Sequence, residues 1–380
     1  MRILLVGEYS RLHNSLKEGL VALGHKVTII GNGDHFKKFP VDIFISHSYN
    51  NWLFKKLKIA INKIFKINLN TLEIYYKSKK VINNLPEYDV VQLINESAFK
   101  TSAKQEIKLL KQLLPKTKKL FLLSCGIDYT CMNYMVNRIP KYSLMSPYLK
   151  DSSLEKKYQF QLRFLKPEYK ELHDFIVEHC NGIIASDMDY HLPMLYSKNE
   201  KYLGLIPNPI NTNKIEFIPQ KLNGKIIIFH GINNNTQHMK GSSYFIEALK
   251  LIEEKYADKI EVITTYSIPY DEYIKLYDSC HILLDQVYGY DQGYNALEAM
   301  AKGKVVLTGA EQEWLDYFNL KEDTVAINVT PDAQQIATKL EWLINNPENI
   351  LEISKNARDF IENKHNYRDI AEKYLDFWKN

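Results

Sequence analysis

Cysteine is scarce in this 380-residue chain: Cys125, Cys131, Cys180 and Cys280 are the only four, and no two form a C-x-x-C pair. That excludes a disulfide framework and points to a reducing compartment. Long apolar runs are also missing, since none reaches the roughly 18–20 residues that cross a bilayer. The opening MRILLVGEYS carries an apolar run too short for a signal peptide. The expectation from these absences is a cytoplasmic protein. There is no low-complexity tract, no readable repeat and no metal-ligand cluster, so no metal and no bound cofactor are expected. Excess charge of one sign is absent over most of the chain. Lys and Arg number 49 against 45 Asp and Glu, a net charge of +4. No recognised nucleic-acid motif accompanies that charge, so nucleic acid is not an expected partner.

One block departs from this balance. Residues 51–80 hold eight lysines against a single acid, Glu73. Within NWLFKKLKIAINKIFKI (51–67), Leu53, Phe54, Leu57, Ile61, Ile64 and Phe65 fall within a helical arc of about 120°. Lys55, Lys56, Lys63 and Lys66 lie opposite. KQEIKLLKQLLPKTKK (104–119) reads as a second basic helix. Two readings stay open: peripheral contact with an anionic membrane surface, or apolar arcs packed on a sheet with solvated lysines.

What is present is ordinary for a globular protein, with 45% hydrophobic and 25% charged residues. The length calls for two domains. Apolar strand signals alternate with helix signals, the pattern of α/β units around parallel sheets. RILLVG (2–7), HKVTIIG (25–31), DIFIS (42–46), DVVQLI (89–94), KLFLLS (119–124) and GIIAS (182–186) form one series. KIIIFHG (225–231), EVITTYS (261–267), HILLDQV (281–287), KVVLTG (304–309) and TVAINV (324–329) form another. GLIPNPIN (204–211), with two prolines, separates them as a hinge. Residues 131–170 are weakly patterned and read as a loop-and-helix insertion. The expected division is 1–205 and 206–364, with the helix 365–380 packing back on the first domain. The cleft between the two should face the carboxyl ends of the strands.

Two stretches carry chemistry. In DQGYNALEAMAKGKVV (291–306), a loop delivers Gly293, Tyr294 and Asn295 to a helix start, whose N–H groups and dipole suit a phosphate. Glu298, one turn in, suits ribose hydroxyls; the alternative is a plain strand-to-helix turn with a capping glutamate. In FHGINNNTQHMKGSSYFIEAL (229–249), Lys240 and Gly241 stand just before a helix, where a lysine suits a diphosphate.

These stretches resemble, in order, the nucleotide-sugar domain of the retaining GT-B glycosyltransferases of family 4 (glycosyl transferases group 1). IPNPIN (206–211) is similar to the family's PNGVD element and HMKG (238–241) to its Lys-Gly element. GYNALEAMAKGKVV (293–306) is similar to its GFGLPVLEAMACGTPVV signature, and YRDIAEKYLDFW (367–378) to its terminal crossing helix. The resemblance implies two doubly wound Rossmann-like domains. It also implies transfer of a sugar, with retention, from a nucleotide-sugar to a glycan or lipid-linked acceptor, as in cell-surface polysaccharide synthesis. It assigns Glu298 to the ribose, Lys240 to the diphosphate and the amides around Gly293–Ala296 to the sugar or its phosphate. The base falls to the loop of Tyr266, Ser267 and Ile268. A catalytically degenerate nucleotide-sugar-binding subunit and a GT-B UDP-sugar epimerase are the alternatives.

The chain departs from the family pattern at three places. Tyr290 stands near the family's first glutamate, and the acid there is Asp291, one place off, a candidate for the sugar hydroxyls. Asn235 replaces the usual arginine, leaving His230, Asn233, His238 or Arg11 as substitutes. LLSCGIDY (122–129) puts Cys125 where the family has a histidine, with Asp128 nearby; Cys125 reads as a packed small residue. Lys240, Asp291 and Asp128 are thus the catalytic candidates, Tyr290, Tyr294, Asn295 and Ala296 further donor contacts, and Ser10, His13, Asn95 and Glu96 the acceptor side. A helix cap at Ser10 is the other reading of that loop.

Overall fold

The computed structural model describes residues 1–34, 38–47 and 68–379. The basic segment 51–67 lies outside the described residues.

Among the described residues, twelve strands form two sheets. The first contains β1 (Arg2–Val6), β2 (Lys26–Gly31), β3 (Ile43–Phe44), β4 (Tyr88–Leu93), β5 (Thr117–Ser124), β6 (Gly182–Ala185) and β7 (Tyr202–Leu205), in the order β3-β2-β1-β4-β5-β6-β7. The second contains β8 (Ile226–Ile232), β9 (Ile260–Tyr266), β10 (Ile282–Leu284), β11 (Val305–Thr308) and β12 (Ile327–Asn328), in the order β12-β11-β10-β8-β9. Every recorded pairing between these strands is parallel. Helices cover both faces, so central strands such as Ile3–Val6 and Ile282–Leu284 are buried throughout, as continuous apolar strands require.

Each sheet reverses its strand order once, and ligand crevices form at such points. In the first sheet the reversal lies between β1 and β4, where Tyr9 and Asn95 meet through an Asn95 Nδ2–Tyr9 hydroxyl hydrogen bond of 3.3 Å. In the second it lies between β8 and β10, so the loops leading to Lys240 and Asp285 flank it.

β7 was not among the strands expected from sequence. It is short, sits at the sheet edge, contains Gly204 at φ +135° and pairs with β6 through a register shift, so its local signal resembles a linker. The helix expected over 104–119 ends at Leu113; Pro115 lies in a 3-10 turn (Leu114–Lys116) and Thr117 already begins β5. Its apolar residues Ile107, Leu109, Leu110 and Leu113 are buried, while Lys104, Lys108 and Lys111 are exposed. That helix therefore spends its apolar face on its own domain. Among the described residues, no helix is long and apolar enough to cross a membrane.

The helix Tyr367–Lys379 returns to the first domain and buries Ile370, Tyr374, Leu375 and Trp378 there. It lies against the helix Leu12–Ala22 at Gly19, where a Cβ would overlap the Tyr367 carbonyl; only glycine permits that approach. Lys119 Nζ donates to the carbonyls of Trp378 (3.1 Å) and Lys379 (2.7 Å), a favourable cation at a helix C-terminus. The Pro-rich segment between the sheets is anchored by its backbone: His365 donates to the Asn208 carbonyl at 2.8 Å and Ile210 N–H to the His365 carbonyl at 2.7 Å.

Candidate active site

After β8 the chain makes a short helix, Gln237–Lys240, then turns at Gly241 with φ +69° into the helix Ser242–Tyr256. A Cβ at Gly241 would meet the Val287 side chain, which explains the Lys-Gly pair: the glycine makes the turn that presents the lysine. Lys240 Nζ lies 2.8 Å from Asp285 Oδ1, with the lysine side chain 37% exposed and the aspartate 2%. Asp285 also accepts from Asn295 Nδ2 at 3.1 Å and Thr308 Oγ1 at 3.3 Å. Asn295 in turn accepts from the Tyr273 hydroxyl at 2.9 Å. Asp285 was missed in the sequence reading. Its signal was there, an acid ending the otherwise apolar ILL of HILLDQV.

Lys240, Asp285 and Asn295 border a cleft of about 500 Å³ whose walls include Asn233, Thr236, Ser267, Ile268 and Tyr273. Ser267 adopts φ +47°; its N–H donates to the Ile232 carbonyl at 2.8 Å and its Oγ accepts from Asn234 N–H at 3.0 Å. The loops after β8 and β9 thereby form one rim. Ile268 faces this cleft, while Tyr266, at the end of β9, is 53% exposed and does not line it.

The helix Tyr294–Ala301 begins at Gly293, whose N-cap position has no side-chain cap. Its first N–H groups lack intrahelical acceptors. Leu297, Ala299, Met300 and Ala301 are buried and Glu298 is half-buried. The small residues let this helix sit close to β11 and the helix Pro347–Lys364. The side chain of Tyr294 is buried, with its hydroxyl donating to the Pro209 carbonyl at 2.9 Å. Ala296 is fully buried. From these two positions only the backbone remains for a ligand.

A second cavity, of about 170 Å³, lies between the domains. Asp187 and Asp189, which follow β6, meet Asp291 of the second domain, with carboxylate oxygens within 4.8 Å of one another. Asp291 Oδ2 accepts from Met188 N–H at 2.9 Å, and Asp189 accepts from Tyr290 N–H at 3.1 Å. Each domain thus supplies a carboxylate to the other's backbone. Burial, then mutual repulsion, raises Asp187 and Asp291 well above the carboxylate range, and burial raises Asp189 to about 7. The sequence showed no metal-ligand spacing because Asp291 lies about a hundred residues from Asp187 and Asp189; the fold assembles them. Tyr290 is buried and accepts from Lys141 N–H at 3.0 Å through its hydroxyl. Beside it Glu311 accepts from the Tyr142 hydroxyl, and from Asn328 Nδ2 at 3.1 Å. Tyr290 and Asp291 therefore build the domain seam, which their place in the sequence did not reveal.

Other expected residues have structural roles. Asp128 caps the helix Tyr129–Val136, accepting from Cys131 N–H and Ser124 Oγ at 2.7 Å each, so its carboxylate is committed to the cap. His13 is fully buried; Nδ1 donates to the Gly7 carbonyl at 2.7 Å, Nε2 faces Gln92 Nε2 at 3.2 Å, and burial depresses it to about 4. It is a core histidine, out of an acceptor's reach. Ser10 does not cap the following helix: Arg11 occupies that position at φ 76°, and Ser10 N–H donates to Asp34 at 2.9 Å. Arg11 pairs at 3.3 Å with Glu18, which also binds Lys214 at 2.8 Å; it supports the contact with the segment between the sheets and does not line the Lys240 cleft. Glu96 is buried against His173 Nδ1 at 2.6 Å. Asn95 is 4% exposed and accepts from Ser97 N–H at 2.9 Å, yet it stands at the reversal point of the first sheet. Burial raises the Cys125 thiol, as befits a packed residue. His230 does not line the cleft and packs against Phe245, with ring centroids 5.3 Å apart, and burial followed by the Lys240 charge depresses it to about 4. Asn235 N–H donates to Asn233 Oδ1 at 2.9 Å within the rim, and His238 Nε2 lies 2.5 Å from Lys157 Nζ across the domain boundary.

Residues 239–376 match a family described as glycosyl transferase-like. No curated protein matches the chain by sequence. Similar solved structures include the sucrose-phosphate synthase of Thermosynechococcus elongatus, at 14% identity and TM-score 0.62, covering 100% of this chain and 98% of that one. Anabaena HepE in complex with UDP and glucose matches at 12% identity and TM-score 0.61, covering 100% and 99%. A putative UDP-N-acetylglucosamine 2-epimerase of Listeria monocytogenes matches at 10% and TM-score 0.52, covering 98% and 94%. The chain has the GT-B fold.

Proposed function

We propose that the protein transfers a sugar from a nucleotide-sugar donor to a glycan or lipid-linked acceptor. The observation that supports this best is the convergence at the second sheet's reversal point. Lys240 and Asn295, the latter at the open N-terminus of a helix, border a cleft sized for a nucleotide, and Glu298 stands half-buried one turn into that helix. The similarity of residues 239–376 to glycosyl transferase-like sequences supports the same reading.

In this reading the loops at Ile268 and Thr236 take the base, and Glu298 accepts from the ribose hydroxyls. Lys240 and the first N–H groups of the helix Tyr294–Ala301 face the diphosphate. Breaking the bond between sugar and diphosphate leaves an anion. The protein's contribution is to hold the acceptor hydroxyl near the anomeric carbon and to stabilise that anion with groups already in place. Lys240 and the helix end are positive groups of the required kind, so the proposed route uses no resident metal and no bound cofactor. Attack from the face that the diphosphate leaves would retain configuration. A cytoplasmic site is proposed, with peripheral membrane contact through the basic segment 51–67 and a role in cell-surface polysaccharide synthesis.

A second reading, a donor-binding subunit without turnover, draws on the structural commitment of Asp128, Tyr290 and Arg11. A thermal-shift panel of UDP-, GDP-, ADP- and CMP-sugars tests binding. A ligand at a hundred times its Kd adds about 2.7 kcal/mol of stability. The nucleotide-sugar that stabilises the protein should then release its nucleotide (a diphosphate from the UDP-, GDP- and ADP-sugars, CMP from the CMP-sugar), slowly to water and faster with acceptor. Stabilisation without any release would favour the subunit reading, and no stabilisation by any of the four would reject both.

A further inference from the structure

The geometry points to the 170 Å³ interdomain cavity as the chamber for the donor's sugar, and to walls that admit a neutral sugar and reject one bearing a carboxylate. This inference rests on the nucleotide-sugar reading and goes beyond it, because it names the class of sugar.

The chamber adjoins the nucleotide cleft residue by residue. Met239 and Gln286 line the chamber, while their neighbours Lys240 and Asp285 line the cleft; Gly293 lines the chamber and Asn295 the cleft. The Lys240–Asp285 pair is therefore the partition between the two spaces. A diphosphate held at Lys240 has its nucleoside on one side of that partition and its sugar on the other.

The walls suit a pyranose. Tyr134, Tyr142, Tyr288 and Tyr290 supply aromatic surface, and Tyr142 and Tyr290 lie with ring centroids 5.7 Å apart. Asp187, Asp189 and Asp291 supply the polar side, and Asp187 Oδ1 is buried without a hydrogen-bond partner. A cavity of mainly apolar walls with a few convergent polar groups is the usual form of a small-molecule site.

The missing counter-charge selects the sugar. Among the described residues, no lysine, arginine or histidine side chain lines the chamber. Crowded carboxyl groups that retain protons both donate to and accept from hydroxyls, so a neutral sugar satisfies them. A uronate would bring an ionised carboxylate into an enclosed cluster of three acids with no cation among the described lining residues. An ionised carboxylate that loses its water without gaining a counter-charge is costly to bind.

The test measures affinity by calorimetry on the full chain. UDP, GDP, ADP and CDP first identify the base; failure of all four counts against the nucleotide-sugar reading itself. Two donors that share that base are then compared, one neutral and one uronic, for example UDP-glucose with UDP-glucuronate or GDP-mannose with GDP-mannuronate. The neutral donor is expected to bind at least roughly 100-fold more tightly, about 2.7 kcal/mol at 1.4 kcal/mol per tenfold. Binding of the uronic donor within threefold of the neutral one, with the nucleotide itself bound, would overturn the inference. Asp187→Asn, which takes one acid out of the cluster without changing its shape, is expected to narrow the ratio. If that variant does not fold, the wild-type ratio decides alone. An acceptor in the chamber instead would leave the two donors equal and make the rate depend on acceptor charge.

Discussion

Lys240 has two claims on its charge. In the free protein it sits 2.8 Å from Asp285 Oδ1; with donor bound, it is to face a diphosphate. At 2.8 Å the Coulomb attraction is about 6 kcal/mol at an effective dielectric of 20 and about 1.5 kcal/mol in water. The lysine side chain is 37% exposed, so the pair lies between these limits, and after desolvation a charge-assisted hydrogen bond nets about 1.5–3 kcal/mol. Lys240→Ala should therefore destabilise the free protein by about that much, since Asp285 keeps only Asn295 and Thr308 as partners. It should also weaken nucleoside-diphosphate binding by roughly 10–150-fold, the same free energy expressed as affinity. Asp285→Asn should act oppositely on binding and tighten it by up to about tenfold, because the lysine no longer leaves a carboxylate to reach the phosphate. In the double variant the stability loss should largely disappear while the binding loss remains. Calorimetry with the nucleotide and thermal unfolding without it give the four corners of this cycle. Two results would refute the reasoning. One is unchanged affinity in Lys240→Ala. The other is an Asp285→Asn variant that binds as poorly as Lys240→Ala, which would make Asp285 a direct donor contact rather than a competitor.

Other predictions concern separate parts of the molecule. Glu298→Ala should weaken ribonucleotide binding by roughly 10–100-fold, as expected for lost hydrogen bonds to a charged group, yet leave 2′,3′-dideoxynucleotide affinity nearly unchanged; equal losses would show that Glu298 does not read the ribose. Trp378→Ala should cost about 3–5 kcal/mol, because Trp378 is 1% exposed beneath β5 beside Phe121; a melting temperature close to wild type would show that the terminal helix is dispensable. His13, His230 and His365 are each depressed to about 4 by burial. In nitrogen-detected NMR all three should stay neutral from pH 7 to pH 5, and a titration near 6.5 at any one would contradict its burial. The sign of the linkage follows: a depressed histidine contributes stability above its unfolded value of about 6.5, and that contribution, about 3 kcal/mol per ring, is lost as pH falls toward 4.

The architecture was legible because its causes are local. Continuous apolar runs mark strands covered on both faces, and a glycine after a helix or before one marks a turn that no other residue makes cheaply. The Lys-Gly turn and the Leu-Glu-Ala-Met-Ala helix could be read from neighbours in the chain for the same reason. β7 escaped because a four-residue edge strand containing Gly204 has almost no local signal.

Sequence alone therefore determined the two sheets, the proline-bearing segment between them and the placing of Lys240 and Glu298 near a helix start, all through interactions within a few residues. The tertiary structure decided which acids and histidines face which space. His13 and Asp128 carry functional side-chain types but meet a backbone carbonyl and a helix end. Asp285 reaches Lys240 across 45 positions, and Asp291 meets Asp187 and Asp189 across about a hundred. Contacts at that separation depend on how two sheets cross over and on how two domains close. The charges around the Lys240 cleft and in the interdomain cavity were for that reason placed by the fold.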